Sequence, residues 1–180
     1  RHATSKIRKA DDLENVKSMG FRGEALASIA AIAHVELVSK TEDDSIGHKI
    51  VVEGGKILEI EDSASQKGTT ITVSNLFFNT PVRYKFLKKD FTEAGYIEDA
   101  VTRIAIANPN IAIKLINENK TIIQTNGNGD LKTVIYTIYG KEIAEGLLEV
   151  NYEYEGIKVT GAIGKPEIAR NNRSYQMFFV

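Results

Sequence analysis

Two adjacent glycines, Gly54-Gly55, lie between strand-like runs at residues 49–53 and 56–61 and limit the possible folds more than any other feature. The tightest hairpin turns need positive φ at their central residues, which glycine adopts without steric cost. The two runs are therefore expected to pair antiparallel. Residues 24–33, rich in Ala, place Leu26, Ile29, Ala30 and Ala33 on one helical face. From Val35 the period changes to that of a strand over residues 35–40. Residues 69–77 form a β-branched run and predict a further, more central strand.

Helical and hairpin patterns alternate along the rest of the chain. Residues 11–18 read as a short helix, broken by Gly20-Phe21-Arg22-Gly23. Asp90-Phe91-Thr92-Glu93 resembles a capping box and opens the longest helical pattern, in which Ile97, Val101, Ile104 and Ala105 recur at helical spacing. Asn108-Pro109 ends it, because proline disfavours helical geometry in the residue before it. A second hairpin is expected from residues 111–116 and 121–124, around residues 117–120. The polar, glycine-rich residues 126–130 mark a domain boundary, and Asp130 is placed to cap a helix running through Tyr139. Residues 147–155 and 157–163 suggest a third hairpin around Gly156, and a polar stretch, 167–174, precedes a final strand. The interleaving indicates a mixed α+β fold, not a regularly alternating parallel one.

Composition narrows the class. With 42% hydrophobic residues and a net charge of −1, the 180-residue chain has the balance of a folded domain or two. It has no cysteine, which removes disulfides and thiolate metal sites. No apolar run approaches the roughly 20 residues that cross a bilayer. A charge near zero does not exclude nucleic acid, since local basic patches decide. The polar start without Met and the apolar end at Phe178-Phe179-Val180 read as cuts through a longer chain.

Four stretches could carry chemistry. In Gly20-Phe21-Arg22-Gly23-Glu24-Ala25-Leu26, two glycines allow close backbone approach and the following helix start offers amides suited to a phosphate chain. A tight turn between helices explains the same residues. Thr4-Ser5-Lys6 offers hydroxyls and an ammonium to phosphate or to the edge of a lid, or is a solvated loop. Gly68-Thr69-Thr70 enters an apolar strand, where a threonine hydroxyl reaches a nucleotide or simply suits the strand. Asn79-Thr80-Pro81 precedes Arg83, Lys85, Lys88 and Lys89, interleaved with Tyr84 and Phe86. That set suits a nucleic-acid backbone or a solvated basic surface, with Phe86 and Leu87 expected to pack under the loop. His2, His34 and His48 show no metal-ligand spacing, and His34 fits the end of an alanine-rich helix. Neither a Ser nucleophile elbow nor a Walker-type phosphate loop is present.

Three of these stretches, taken in order, resemble MutL-type DNA mismatch repair proteins: residues 1–7, Gly20-Phe21-Arg22-Gly23-Glu24-Ala25-Leu26-Ala27-Ser28-Ile29, and Gly68-Thr69 with Leu76-Phe77-Phe78-Asn79-Thr80-Pro81-Val82-Arg83. The resemblance covers essentially the whole chain and is weaker after Asn126. It implies part of a GHKL (Bergerat-type) ATPase α/β sandwich over residues 1–126, with helices on one side of a mixed sheet. Residues 127–180 would then begin a domain like the second domain of ribosomal protein S5.

Site roles are implied in the same way. Thr4, Ser5 and Lys6 match the lid that orders around nucleotide. Arg22, Gly23, Glu24, Ala25 and Leu26 match the phosphate-binding loop and helix start. Thr69 matches a threonine near the adenine side, and Lys85 and Arg103 fall where the family lines a DNA-facing channel. Helical spacing puts Arg103 on a polar face with Glu98, Asp99 and Thr102. The family's general-base Glu, magnesium-binding Asn and adenine-reading Asp would precede this chain, and a lysine reaching the terminal phosphate would follow it. No catalytic or metal-ligating residue is therefore expected here, and the fragment alone should not turn over ATP.

For the complete protein the resemblance implies ATP and Mg2+ as cofactors and N-terminal homodimerisation of a DNA clamp. It also implies relay of mismatch recognition by MutS to nuclease and helicase factors. A bacterial, cytoplasmic location, at the nucleoid during repair, follows from it. The rival readings are another GHKL ATPase, such as a gyrase-like or chaperone ATPase, and a DNA-binding or scaffold module without ATPase activity.

Overall fold

The Gly54-Gly55 turn takes the positive φ values expected of it, 54° and 81°, and joins β2 (Gly47–Glu53) to β3 (Lys56–Ser63). The computed structural model describes residues 7, 9–16, 20 and 22–179, and divides into two units, Arg1–Leu87 and Lys88–Val180. In the first unit β1 (His34–Lys40) and β4 (Gly68–Ser74) complete an antiparallel sheet of order β3-β2-β1-β4.

β4 is thus an edge strand of the described sheet, not the central strand expected. Its β-branched residues report how well they suit a pleated backbone, and this is independent of position in the sheet. It also stops at Ser74 rather than Phe77. Asn75 and Phe77 have φ of 52° and 66°, in the left-handed region, and this turns the chain out of the ladder.

Alternation gives the sheet two unlike faces. The register of β1 with β2 and β4 puts Val35, Leu37, Ile50, Val52, Ile71 and Val73 on one side, where Ser39, His48 and Thr69 also lie. Glu36, Lys40, Lys49, Glu53, Thr70 and Thr72 are on the other, together with Val38 and the buried Val51. Helix α1 (Ala25–Ala30) covers the start of the apolar face, where Ala30, Ala33 and Val35 are buried and Val52 packs against them. Beyond that patch the face is open, and Ile60 is 67% exposed.

α1 is shorter than expected, because residues 31–33 form a turn. Of its expected inward face, Ala30 and Ala33 are buried, whereas Leu26 and Ile29 are exposed. The carbonyls at its end have no intrahelical partners, and four outside donors take them. Gly55 N donates to Ala30 O at 2.8 Å, Phe77 N to Ile32 O at 2.7 Å, and Gly54 N to Ala33 O at 3.3 Å. Asn79 Nδ2 donates to Ala31 O at 2.9 Å. The hairpin turn and the loop after β4 therefore meet at one helix end.

Two smaller expectations in this unit are corrected. The first helix is a 3-10 helix, Ala10–Asn15, with Lys9 N donating to Asp12 Oδ2 at 3.0 Å. So short a segment favours the tighter i to i+3 pattern. Phe86 and Leu87 do not pack under the loop; both are exposed after the short helix α2 (Pro81–Tyr84).

The second unit opens with α3 (Asp90–Ala107), which ends at Asn108 as Pro109 requires. The expected capping box differs in detail: Lys89 is the N-cap, and Glu93 Oε1 accepts from Lys88 N at 2.8 Å. Asp90 instead occupies the first helical position, where its charge complements the helix dipole. The inward residues are Thr102 and Ala105, while Ile97 is exposed. Thr102 therefore leaves the polar face assigned to it, since small side chains let α3 approach its neighbours α4 (Leu131–Tyr139) and β5 (Lys114–Asn117).

β5 pairs with β6 (Lys120–Gln124) across Glu118 and Asn119, both at positive φ, a tighter turn than expected. Thr125 is buried, and its hydroxyl accepts from Ile113 N and donates to Ile111 O. Asp130 caps α4 as expected, accepting from Lys132 N at 2.9 Å and Thr133 N at 3.2 Å. Gly140 separates α4 from an additional helix, α5 (Lys141–Glu145), and β7 (Leu147–Tyr154) pairs antiparallel with β8 (Ile157–Gly164). The final strand expected after residue 174 is not formed among the described residues, where a 3-10 helix, Pro166–Ile168, follows β8. A strand needs a partner, and β7 and β8 pair with each other in a two-stranded sheet.

Two stability measurements check these contacts. Asn79→Ala should cost about 1 kcal/mol in urea unfolding, the worth of one exposed hydrogen bond. Asn79→Asp should cost more, since it removes the donor and sets a negative charge at a helix C-terminus. Equal effects would contradict the contact. The Asp130 carboxyl is held below its ordinary value first by the Thr133 hydroxyl and then by the Lys132 amide. A depressed carboxyl stabilises the fold above its unfolded pKa, near 4, and that contribution is lost as pH falls through the lower folded value. Asp130→Asn should therefore flatten the acid limb of a stability–pH profile, and an unchanged limb would refute the cap.

Candidate functional site

A left-handed glycine stands just before α1. Gly23 has φ of 64°, a conformation open to glycine and strained for other residues. A Cβ added at Gly20 would meet no other atom within 4 Å. Arg22, Gly23, Glu24, Ala25 and Leu26 are all exposed, and Glu24, the N-cap, makes no side-chain capping bond. The first-turn amides have no intrahelical acceptor, which suits them to an oxyanion. The opposite end of the helix is the one held by the hairpin and the loop, so α1 is fixed at its C-terminus.

Thr69 lies on the sheet face that α1 packs against. Of the four hydroxyls in β4, those of Thr70, Thr72 and Ser74 alternate to the other side. Thr69 is opposite Ser39, and its Oγ1 is 2.8 Å from Ser39 Oγ. That row is four residues along β1 from Val35, where α1 packs, or about 14 Å.

At the Ser39 end is an open cavity of about 250 Å³, lined by Leu37, Ile50 and Ile60 together with Ser39, Asp44 and His48. The Thr41 hydroxyl donates to Asp44 Oδ2 at 2.5 Å, and this bond, followed by one from the Thr41 amide, holds the Asp44 carboxyl below its ordinary value. His48 Nδ1 is 3.1 Å from Asp62 Oδ1. On the opposite face Lys49 bridges Glu61 at 2.7 Å and Glu59 at 3.3 Å, which raises its pKa. His34, expected to serve a helix end, is the first residue of β1 and has Nδ1 3.1 Å from Glu53 Oε2.

Lys85 is the exposed C-cap of α2. Arg103 projects from α3 with Nε donating to Asp99 Oδ2 at 2.8 Å, and that bond, then the carboxylate charge, raises its pKa. Thr4, Ser5 and Lys6 lie outside the described residues. Sequence reasoning passed over Asn79 as a helix-end donor and Ser39 as the partner of Thr69. Both depend on strand register and loop path, which no local motif encodes.

The fold has counterparts among solved structures. The Aquifex aeolicus MutL ATPase domain complexed with ADP is 29% identical with a TM-score of 0.66, over 81% of this chain and 56% of that one. The N-terminal domain of a DNA repair protein gives 28% identity and a TM-score of 0.71, over 88% of this chain and 54% of that one. The fold is therefore a mixed α/β arrangement of the kind found in MutL GHKL ATPase domains.

In sequence, the chain is 52% identical over its whole length to the DNA mismatch repair protein MutL of Agathobacter rectalis. It is 48% identical to that of Clostridium beijerinckii over 99% of its length, and 47% identical over its whole length to that of Caldanaerobacter subterraneus. Residues 135–180 match the family model of the DNA mismatch repair protein C-terminal domain. The chain belongs to the MutL family of DNA mismatch repair proteins. It spans 28%, 27% and 30% of the length of those three relatives.

Proposed function

We propose that this chain is the part of a MutL mismatch repair ATPase that holds the nucleotide phosphates and one side of its base. The observation that carries the reading is the exposed, left-handed Gly23 ahead of an exposed helix start, within a chain 52% identical to a MutL protein throughout. The ADP bound by the Aquifex aeolicus neighbour supports a nucleotide as the ligand. In this reading Arg22, Gly23, Glu24, Ala25 and Leu26 accept the phosphates through main-chain amides, with Thr4, Ser5 and Lys6 as the lid. Thr69 serves the base.

The chain's amides and hydroxyls are donors that suit phosphate and base. In this reading the magnesium ligand, like the general base, comes from the rest of the protein. Magnesium would neutralise phosphate charge, and the amides of this chain would orient the phosphates for attack by water.

Hydrolysis belongs to the complete protein. ATP orders the lid and favours N-terminal homodimerisation, closing a clamp on DNA. This requires ATP to bind the closed state better than the open one. Lys85 and Arg103 contribute positive charge to the DNA-facing channel, sequence-independent contacts of the kind phosphates attract. The clamp relays mismatch recognition by MutS to nuclease and helicase factors in the bacterial cytoplasm, at the nucleoid. The partition into ATPase residues 1–126 and an S5-like domain from residue 127 is supported by the family-model match, which begins at residue 135.

Gly23→Pro in the complete protein tests the reading. Proline fixes φ near −65°, far from the 64° observed, and removes an amide. ATP affinity and turnover should fall about tenfold or more, as for loss of a preorganised donor. The unfolding midpoint should hold, since α1 is anchored at its other end. Unchanged ATP binding by the folded variant would contradict the phosphate loop. If the parent bound DNA but no nucleotide, the DNA-binding scaffold would replace the ATPase.

A further inference from the structure

The strand rows on the face covered by α1 change character in sequence. Val35 is opposite Val73 and Leu37 opposite Ile71, both apolar pairs, and the next row is Ser39 opposite Thr69. Two hydroxyls thus end an apolar face at the margin of the cavity that Ser39 lines. Their oxygens are 2.8 Å apart. The β1–β4 ladder is already made by backbone groups along its whole register, so the pair is additional to what holds the strands together.

A hydroxyl has one proton to donate and two lone pairs to accept with. In a Ser–Thr pair the direction of the shared bond fixes what remains on each side. When Ser39 donates, the Thr69 proton is left free for an acceptor on a ligand. When Thr69 donates, it offers a ligand lone pairs alone. Without Ser39, the Thr69 hydroxyl would rotate among staggered positions and lose that direction.

We propose that Ser39 is a positioning residue for nucleotide recognition, holding the Thr69 hydroxyl in the direction that meets the purine base. The inference rests on the nucleotide reading of Thr69 and adds a residue that never needs to touch the ligand. A structural alternative is an ordinary cross-strand hydroxyl pair, which contributes modestly to sheet stability. The two differ in which ligands feel the loss. A positioning role affects a base-bearing nucleotide, whereas a strand-pairing role affects stability and every ligand alike.

The test uses the complete protein, with equilibrium binding of ATP and of inorganic tripolyphosphate, which carries phosphates but no base. Ser39→Ala should weaken ATP about fivefold, the size expected of one neutral hydrogen bond. Tripolyphosphate binding should not change, and Ser39→Thr, which keeps a hydroxyl and suits a strand, should restore ATP affinity. Thr69→Val should weaken ATP at least as much, and adding Ser39→Ala to it should cost nothing further, since both act through one group. Additive losses, equal losses for both ligands, or full ATP affinity in Ser39→Ala beside a weakened Thr69→Val would each overturn the positioning role. Full affinity in Thr69→Val would overturn it too, while leaving the phosphate loop standing. If the wild-type protein bound no ATP, the nucleotide reading itself would fall, and this inference with it.

Discussion

The four hydrogen bonds at the end of α1 are the contact on which the rest of the first unit depends. The apolar patch beneath this helix is small, built from Ala30, Ala33 and Val35 with Val52 beside them. Alanine methyls remove little surface from water, so burial alone holds a six-residue helix weakly. Donors from Gly54, Gly55, Phe77 and Asn79 supply what burial lacks, each bond worth on the order of 1 kcal/mol. They also tie together three segments that are distant in sequence: the helix, the hairpin turn and the loop after β4. Because the C-terminal end is held, the N-terminal end that follows Gly23 is positioned.

In the proposed nucleotide reading, that anchoring and the two-faced sheet together define the site. Alternation sends Thr69 to the helix side and Thr70 to the other, so a one-residue slip of β4 would remove the hydroxyl from the site. The register that prevents the slip is the one that buries Val35 and sets Leu37 against Ile71. Packing and recognition therefore share a single constraint. In the second unit the equivalent economy is at Asp130, whose carboxylate closes the start of α4 directly after a turn without regular structure.

Much of this was legible in the sequence because it is local. The Gly54-Gly55 turn, the Asp130 cap and the stop at Asn108-Pro109 each follow from the backbone preferences of one or two residues. The positive φ of Gly23 is a backbone preference of the same local kind. What was hidden is non-local. β4 reads as central and lies at an edge of the described sheet, because composition does not record neighbours. Thr102 reads as polar and is buried, because a small side chain is chosen for approach and not for apolarity. Asn79 was grouped with a basic loop by proximity, yet its amide serves a helix end 48 residues earlier. Ser39 is an unremarkable strand serine until register sets it opposite Thr69.

The central claim is that α1 is held at one end so that its other end can take nucleotide phosphate. Hydrogen exchange of individual backbone amides in the complete protein, with and without ATP, addresses this directly. The account predicts new protection at Gly23, Ala25 and Leu26 when ATP is added. It predicts little change at Gly54, Gly55 and Phe77, whose amides are already bonded to the helix end. Protection that appeared at Gly54, Gly55 and Phe77, with none at Gly23 to Leu26, would contradict it.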